Sequence, residues 1–320
     1  MPMMRSALLA VVLLTSPEKP HAVMSLLARL PLTPQHHTVL SDAEFQQLRQ
    51  LIYEKTGLYF QDNKRYLLES RVGRRLNELR LPNGQAYLRL LQNGQGRDEF
   101  RHLINAITIN ETYFFRAPAH LEVLERHILP EWLRTKRQVR IWSAGCSSGE
   151  EPYTLAIFLR DRIQPRYPNA RFEIIGTDIN TKVLKQAQQG LYGDYAVRNV
   201  PPEYLQRYFI QQGNRYQLRD EIRKMVKFQV LNLADEIAMS TMRNFDLIIC
   251  ANVLIYFDDN MKRRVVQSFY RSLVPGGYLF VGFSETLYGI SQAFQPVRFG
   301  KAIVYRKEAE ASESNTRRHG

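Results

Sequence analysis

The sequence predicts an α/β protein, a doubly wound and mostly parallel sheet with a small N-terminal all-helical domain and a β-subdomain insertion. Three observations predict it. From Val139 onward, short apolar runs alternate with segments of helical periodicity, as strands joined by crossover helices require. Val139–Ala144 leads straight into a glycine-bracketed loop, Gly145-Cys146-Ser147-Ser148-Gly149, and then into a helix start at Glu150-Glu151-Pro152-Tyr153. Residues 41–110 carry helical spacing alone.

The elements follow in order. Residues 1–40, with Pro17, Pro20, Pro31 and Pro34, read as a disordered leader. Within it Ala7–Leu14 resembles a signal-peptide core but is far too short to span a membrane, and Met24 is an alternative start. Ser41-Asp42-Ala43-Glu44 is a capping box, Phe45, Leu48 and Ile52 give helical spacing, and Gly57 closes the helix. Leu68, Val72, Leu76 and Leu79 mark a second helix. Pro82-Asn83-Gly84 breaks the chain, Tyr87–Leu91 begins a third helix, and Phe100–Ala106 a fourth. Residues 111–135 are a linker and a helix from Pro118 to Leu133.

The sheet domain spans residues 136–306. Its strands are Val139–Ser143, Phe172–Asp178, Val226–Leu231, Phe245–Asn252, Tyr278–Phe283 and Ala302–Tyr305. Its helices are Pro152–Arg160, Thr181–Gln188 and Met261–Leu273, and Pro275-Gly276-Gly277 reads as a turn. The last strand is joined by a loop and is free to return antiparallel. Residues 191–227 break the rhythm. Pro201-Pro202, an aromatic run and a Gly213-Asn214 hairpin signal mark a β insertion there. Residues 307–320 are polar and aperiodic, and read as a disordered tail.

Composition narrows the partners. The 320 residues carry 44 basic and 31 acidic side chains, a net charge of +13, which favours an anionic partner without choosing among nucleic acid, membrane and acidic protein. The two cysteines, Cys146 and Cys250, argue against a disulfide framework and fit a reducing compartment. No histidine has a metal-ligand partner, so no metal is expected. One helix face concentrates Lys64, Arg65, Arg71, Arg74 and Arg75 against the single acid Glu69. Such faces are ordinarily only solvated. Phe114, Phe115 and Phe257 read as core, Cys146 as a small loop residue and Cys250 as a buried strand residue.

Ligands of doubly wound sheets bind beyond the carboxyl ends of the strands. The loop at Gly145, Asp178, Asn232 and Asn252 fall there. An acid ending the second strand suits ribose hydroxyls. The loop lacks the spacing of a dinucleotide binder and the lysine of a phosphate loop. Glu150 and Glu151 at its mouth would repel a pyrophosphate but suit an ammonium or sulfonium group. S-adenosylmethionine has both, with a ribose for Asp178.

Six stretches then point to one family. They are Asn110-x-Thr112-x-Phe114-Phe115-Arg116, Trp142 to Tyr153, the strand end at Asp178, Asn232-Leu233, Asn252–Phe257, and Pro275-Gly276-Gly277 with Ser284-Glu285. In order and spacing they resemble the chemotaxis receptor methyltransferases, the CheR family, over roughly residues 41–306. The resemblance implies a Rossmann-like methyltransferase sheet. It also implies methyl transfer from S-adenosylmethionine to glutamate side chains on cytoplasmic chemoreceptor helices, with S-adenosylhomocysteine as the second product. By position it implies a cofactor site of Asn110, Thr112, Arg116, Glu150, Asp178, Asn232, Leu233, Ala251 and Asn252, to which the glycine turn adds Gly145. Arg116 and Tyr256 would act at the transferred methyl. The family often carries arginine where this chain has Ala251. A glutamate acceptor is already ionised at neutral pH, so no general base is needed. The basic face, Lys64 to Arg75, would dock the acidic receptor helices. The β insertion resembles the family's peptide-docking module, but its short hairpin carries no claim of peptide binding. A monomer is expected. Two rival readings are a nucleic-acid methyltransferase and a non-catalytic module that binds the cofactor or the receptor.

Overall fold

A computed structural model describes residues 40–93 and 96–308. Residues 1–39 of the expected leader and the tail beyond Glu308 lie outside the described residues, while Leu40, read as leader, is buried. Among the described residues four α-helices come first: α1 (Asp42–Thr56), α2 (Arg65–Leu79), α3 (Gly84–Gln92) and α4 (Arg97–Ile107). The α1 capping box is complete. Ser41 Oγ accepts from the Glu44 N–H, and the Glu44 carboxylate accepts from the Ser41 N–H at 2.7 Å. Gly57 ends α1 in the left-handed region, at φ 72°, and a Cβ there would lie 2.8 Å from Met261 Cγ. Phe45, Leu48, Leu68, Val72 and Tyr87 bury the common core of these helices.

The expected helix 118–133 exists as α5 (Pro118–Val123) and α6 (Leu129–Thr135), joined through a wide π-turn at Leu124–Ile128. The sheet follows, with α7 (Glu150–Phe158) and α8 (Thr181–Gln189) as crossovers and α9 (Asp259–Ser272) as the last helix. Its strands are β1 (Gln138–Ala144), β2 (Arg171–Asp178), β6 (Val226–Val230), β7 (Phe245–Cys250), β8 (Leu273–Val281), β9 (Phe294–Phe299) and β10 (Ala302–Lys307), in the order β6-β2-β1-β7-β8-β10-β9. The first five are parallel, and β10 returns antiparallel to both β8 and β9. The period of two along each strand serves two cores. Ile141, Leu247 and Ile249 face one, while Trp142, Ile248 and Cys250 face the other against Val265 and Phe269 of α9.

The insertion forms its own antiparallel sheet, β3 (Leu191–Gly193), β4 (Phe209–Gln212) and β5 (Arg215–Leu218), in the order β3-β5-β4, with Gly213-Asn214 as the hairpin turn. Three expectations change. Pro275-Gly276-Gly277 is a bulge inside β8, because β7 and β8 stay paired on both sides of it. The segment before the last strand holds β9, an edge strand whose Pro296 breaks the sequence pattern but leaves the outer edge free. Lys307, read as tail, closes β10 opposite Phe294.

Candidate active site

One cavity of about 790 Å³ opens beyond the carboxyl ends of the parallel strands. Its walls come from the glycine loop, the segment around Asn110–Arg116, the ends of β2, β6, β7 and β8, and the stretch Leu58–Phe60 of the helical domain. Asn110, Thr112, Arg116, Gly145, Asp178, Asn232, Leu233, Ala251, Asn252 and Tyr256 all line it. Glu150 does not. Its carboxylate turns back onto Ser148 Oγ, at 2.8 Å, and is buried. Glu151 occupies the wall instead, held by Ser143 Oγ at 2.7 Å. The two acids are adjacent at a helix start, so nothing in their sequence says which faces the ligand.

The glycine loop is held from within. The N–H groups of Gly145 and Cys146 both donate to the Thr177 carbonyl, at 2.8 and 2.9 Å, and the Ser147 N–H donates to Asp178 at 2.8 Å. The Asn180 N–H takes the other Asp178 oxygen, at 2.8 Å. In the folded loop the amides of Gly145, Cys146 and Ser147 are already spent, so the turn is rigid but is no phosphate cradle. Gly145 sits at φ 77°, and a Cβ on it would lie 2.5 Å from Val253.

The segment that joins the helical domain to the sheet is pinned at several points. Ser147 Oγ donates to the Asn110 carbonyl at 3.1 Å, the Phe114 N–H to the Ala196 carbonyl at 2.9 Å, and the Phe115 N–H to Thr154 Oγ1 at 3.0 Å. Phe115 holds φ 57°, unusual for a residue with a side chain. Phe114 is fully buried as expected. These contacts leave the Arg116 side chain exposed, with its guanidinium on the Glu111 carbonyl at 3.0 Å and beside the Tyr113 ring. Asn232 donates to the Lys55 carbonyl at 2.7 Å and so ties the end of β6 to α1.

Burial sets the acid chemistry. It lifts the carboxyl of Glu151 to about 7, against the Ser143 hydrogen bond and the Arg116 charge that lower it, with Glu285 raising it further. Glu150 is lifted to about 7, again chiefly by burial. Burial also raises Asp178, opposed by its backbone donors. The Tyr256 hydroxyl is pushed up by burial, although the Arg116 charge pulls the other way. His120 lines the cavity as a neutral ring packed on Phe280, lowered to about 4 by burial.

These features fit S-adenosylmethionine. Two acids, Asp178 and Glu151, face a pocket whose other walls include Leu231, Leu233, Ile249 and Val253. Such a set suits hydroxyls, a cationic centre and a flat apolar ring together. Among the described residues there is no metal-binding cluster, and no helix is long and apolar enough to cross a membrane.

The basic face divides. Arg65 pairs with Asp42 and, at 3.0 Å, with Glu69. Arg75 pairs with Glu78 and grips the buried Glu99 through two nitrogens, at 2.5 and 2.9 Å. Arg65 and Arg75 are thus engaged within the helical domain, which leaves Lys64, Arg71 and Arg74 as the unpaired part of the predicted docking face among the described residues. None of the five lines the cavity.

The sequence reading missed the stretch 58–60 and the role of Glu285. Leu58, Tyr59 and Phe60 follow Gly57 and carry no motif, yet they close one wall. Of the two acids placed at the loop mouth, Glu151 is the one that lines the cavity, although the predicted site named Glu150. Glu285 was recognised only as part of a motif, although it binds the backbone at the ends of two strands.

Comparison with known proteins agrees with this geometry. Residues 110–303 match the family model described as CheR methyltransferase, SAM binding domain, and residues 43–108 match CheR methyltransferase, all-alpha domain. Chemotaxis protein methyltransferase 2 of Vibrio cholerae is 39% identical over 272 residues, which is 84% of this chain and 94% of the relative. The chemotaxis protein methyltransferase of Escherichia coli is 36% identical over 259 residues, 80% and 88% of the two chains. That of Borreliella burgdorferi is 36% identical over 252 residues, 77% and 89%. With both of its domains matched in order, this chain belongs to the CheR family of S-adenosylmethionine-dependent methyltransferases.

Proposed function

We propose that the protein methylates glutamate side chains on the cytoplasmic helices of chemoreceptors, yielding glutamyl methyl esters and S-adenosylhomocysteine. The observation that carries this reading is the convergence of Arg116, Tyr256 and Asp178 on one cavity. Bound S-adenosylmethionine supplies an electrophilic methyl group on a positively charged sulfur. Asp178 would take its ribose hydroxyls and Glu151 its cationic end, with Asn110, Thr112, Asn232, Leu233, Ala251 and Asn252 completing the wall around the Gly145 turn.

The chain's own residues do the rest by placement. Arg116 is exposed at the cavity and free to take an incoming carboxylate, which needs no deprotonation at neutral pH. Tyr256 keeps its proton under burial and donates toward the same point. Orientation and exclusion of water, rather than acid–base exchange, then set the rate. Lys64, Arg71 and Arg74 are the cations left to steer an acidic receptor helix. The cytoplasm is where such helices are found.

The test is transfer of labelled methyl to receptor fragments. This reading expects label that is released by mild base, as a carboxyl ester requires. Label on RNA or DNA would favour a nucleic-acid methyltransferase, and tight cofactor binding without transfer would favour a non-catalytic module.

A further inference from the structure

The Glu285 carboxylate sits where β7 and β8 end and gathers backbone donors from both. Its Oε2 accepts from the Asn252 N–H and from the Gly282 N–H, each at 2.7 Å, and its Oε1 accepts from the Ile255 N–H at 3.3 Å. The approach is close enough to require glycine. A Cβ at Gly282 would lie 2.6 Å from Glu285 Oε2 and 2.8 Å from the Asn252 nitrogen. Asn252 holds φ 62°, a conformation that residues with side chains rarely adopt. The three residues whose amides Glu285 holds all line the cavity, whereas Glu285 does not. Tyr256 follows Ile255 directly, in the single helical turn Leu254–Tyr256.

We infer that Glu285 is a positioning residue for methyl transfer. It holds Asn252 through that residue's own N–H and Tyr256 through the N–H of the preceding Ile255, and touches neither the methyl donor nor the acceptor. This rests on the reading of Tyr256 given above. A carboxylate suits the task because it is acceptor-only on both oxygens. Glutamine in its place keeps the size and one acceptor, but sets an NH2 against a backbone N–H. A plain structural staple would lower stability and leave turnover per folded molecule unchanged. A positioning residue lowers turnover itself.

The test is a double-mutant cycle in the full chain, comparing wild type, Glu285→Gln, Tyr256→Phe and the double variant. Methyl transfer to a receptor fragment is measured, with sites counted by titration with S-adenosylhomocysteine. We expect Glu285→Gln to lower kcat per site on the order of tenfold with the acceptor KM unchanged. We expect a much smaller further loss when Tyr256 is already Phe. An unchanged kcat per site, or losses that multiply in full, overturns the inference. Should Glu285→Gln not fold, Glu285→Asp, which keeps the charge and shortens the reach, carries the same cycle. If wild type itself transfers no label, the methylation reading has failed. Backbone amide exchange at Ile255 and Tyr256 then decides the positioning role: faster exchange in the variant supports it and equal exchange overturns it.

Discussion

The Tyr59 N–H donates a 3.0 Å hydrogen bond to the Tyr256 carbonyl. Next to it, Leu58 and Phe257 form an antiparallel bridge, and the Tyr53 hydroxyl donates to Asp258 at 3.0 Å. The helical domain is thus built into the wall that carries Tyr256. It is part of the site and not only a platform for a partner.

Gly57 sets the exit of that strap from α1. Gly57→Ala should destabilise the protein by about 1–3 kcal/mol, because φ is positive and Met261 blocks the new methyl. It should also weaken S-adenosylhomocysteine binding. Thermal melting and a binding titration check this. An unchanged affinity in a destabilised protein would separate the strap from the site.

The split of the basic face gives a paired prediction. Arg71→Glu with Arg74→Glu should leave the melting temperature near wild type, slow receptor methylation and reduce its salt dependence. Arg75→Glu should instead cost about 3 kcal/mol or more, since it leaves Glu99 buried without its cation. Melting curves beside methylation rates across a salt series distinguish the two. Equal destabilisation by both changes would contradict the division.

Much of this was legible in the chain, and the exceptions have physical causes. The capping box at Ser41, the stop at Gly57 and the parallel strands follow from local patterns, and so do the strand-end positions of Gly145, Asp178, Asn232 and Asn252, whereas Asn110, Thr112, Arg116, Leu233, Ala251 and Tyr256 were named only through the family resemblance. What escaped depends on partners distant in sequence. Glu69 sits one turn from Arg65 and could be anticipated, but Glu99, 24 residues from Arg75, could not. The acceptors that pin the loop amides, Thr177 and Asp178, likewise lie on another strand. Pro296 hides β9 because proline scores against strand wherever it falls, and only the fold shows that β9 is an edge.

The pH dependence follows from the two lifted acids. Glu151 and Glu150 have folded-state values near 7, above the ordinary 4.5. Their contribution to stability is therefore full below about 4.5 and lost as pH rises through about 7. The ligand-free protein should melt at lower temperature across that window, and Glu151→Gln should flatten part of the decline. Over the same range ionised Glu151 should tighten S-adenosylmethionine more than the uncharged-sulfur product. Melting temperature and both affinities against pH check this. A parallel response of the two ligands would remove Glu151 from the sulfonium and leave only the ammonium, which both ligands carry.

The central claim is that this one cavity delivers a methyl group to a glutamate placed by Arg116. Mass spectrometry of receptor fragments after reaction with S-adenosylmethionine tests it most directly. The account predicts one added methyl per modified glutamate, lost on mild base, and nearly absent with Arg116→Ala although that variant remains folded. Equal modification by Arg116→Ala, or methyl groups found on any residue other than glutamate, would contradict it.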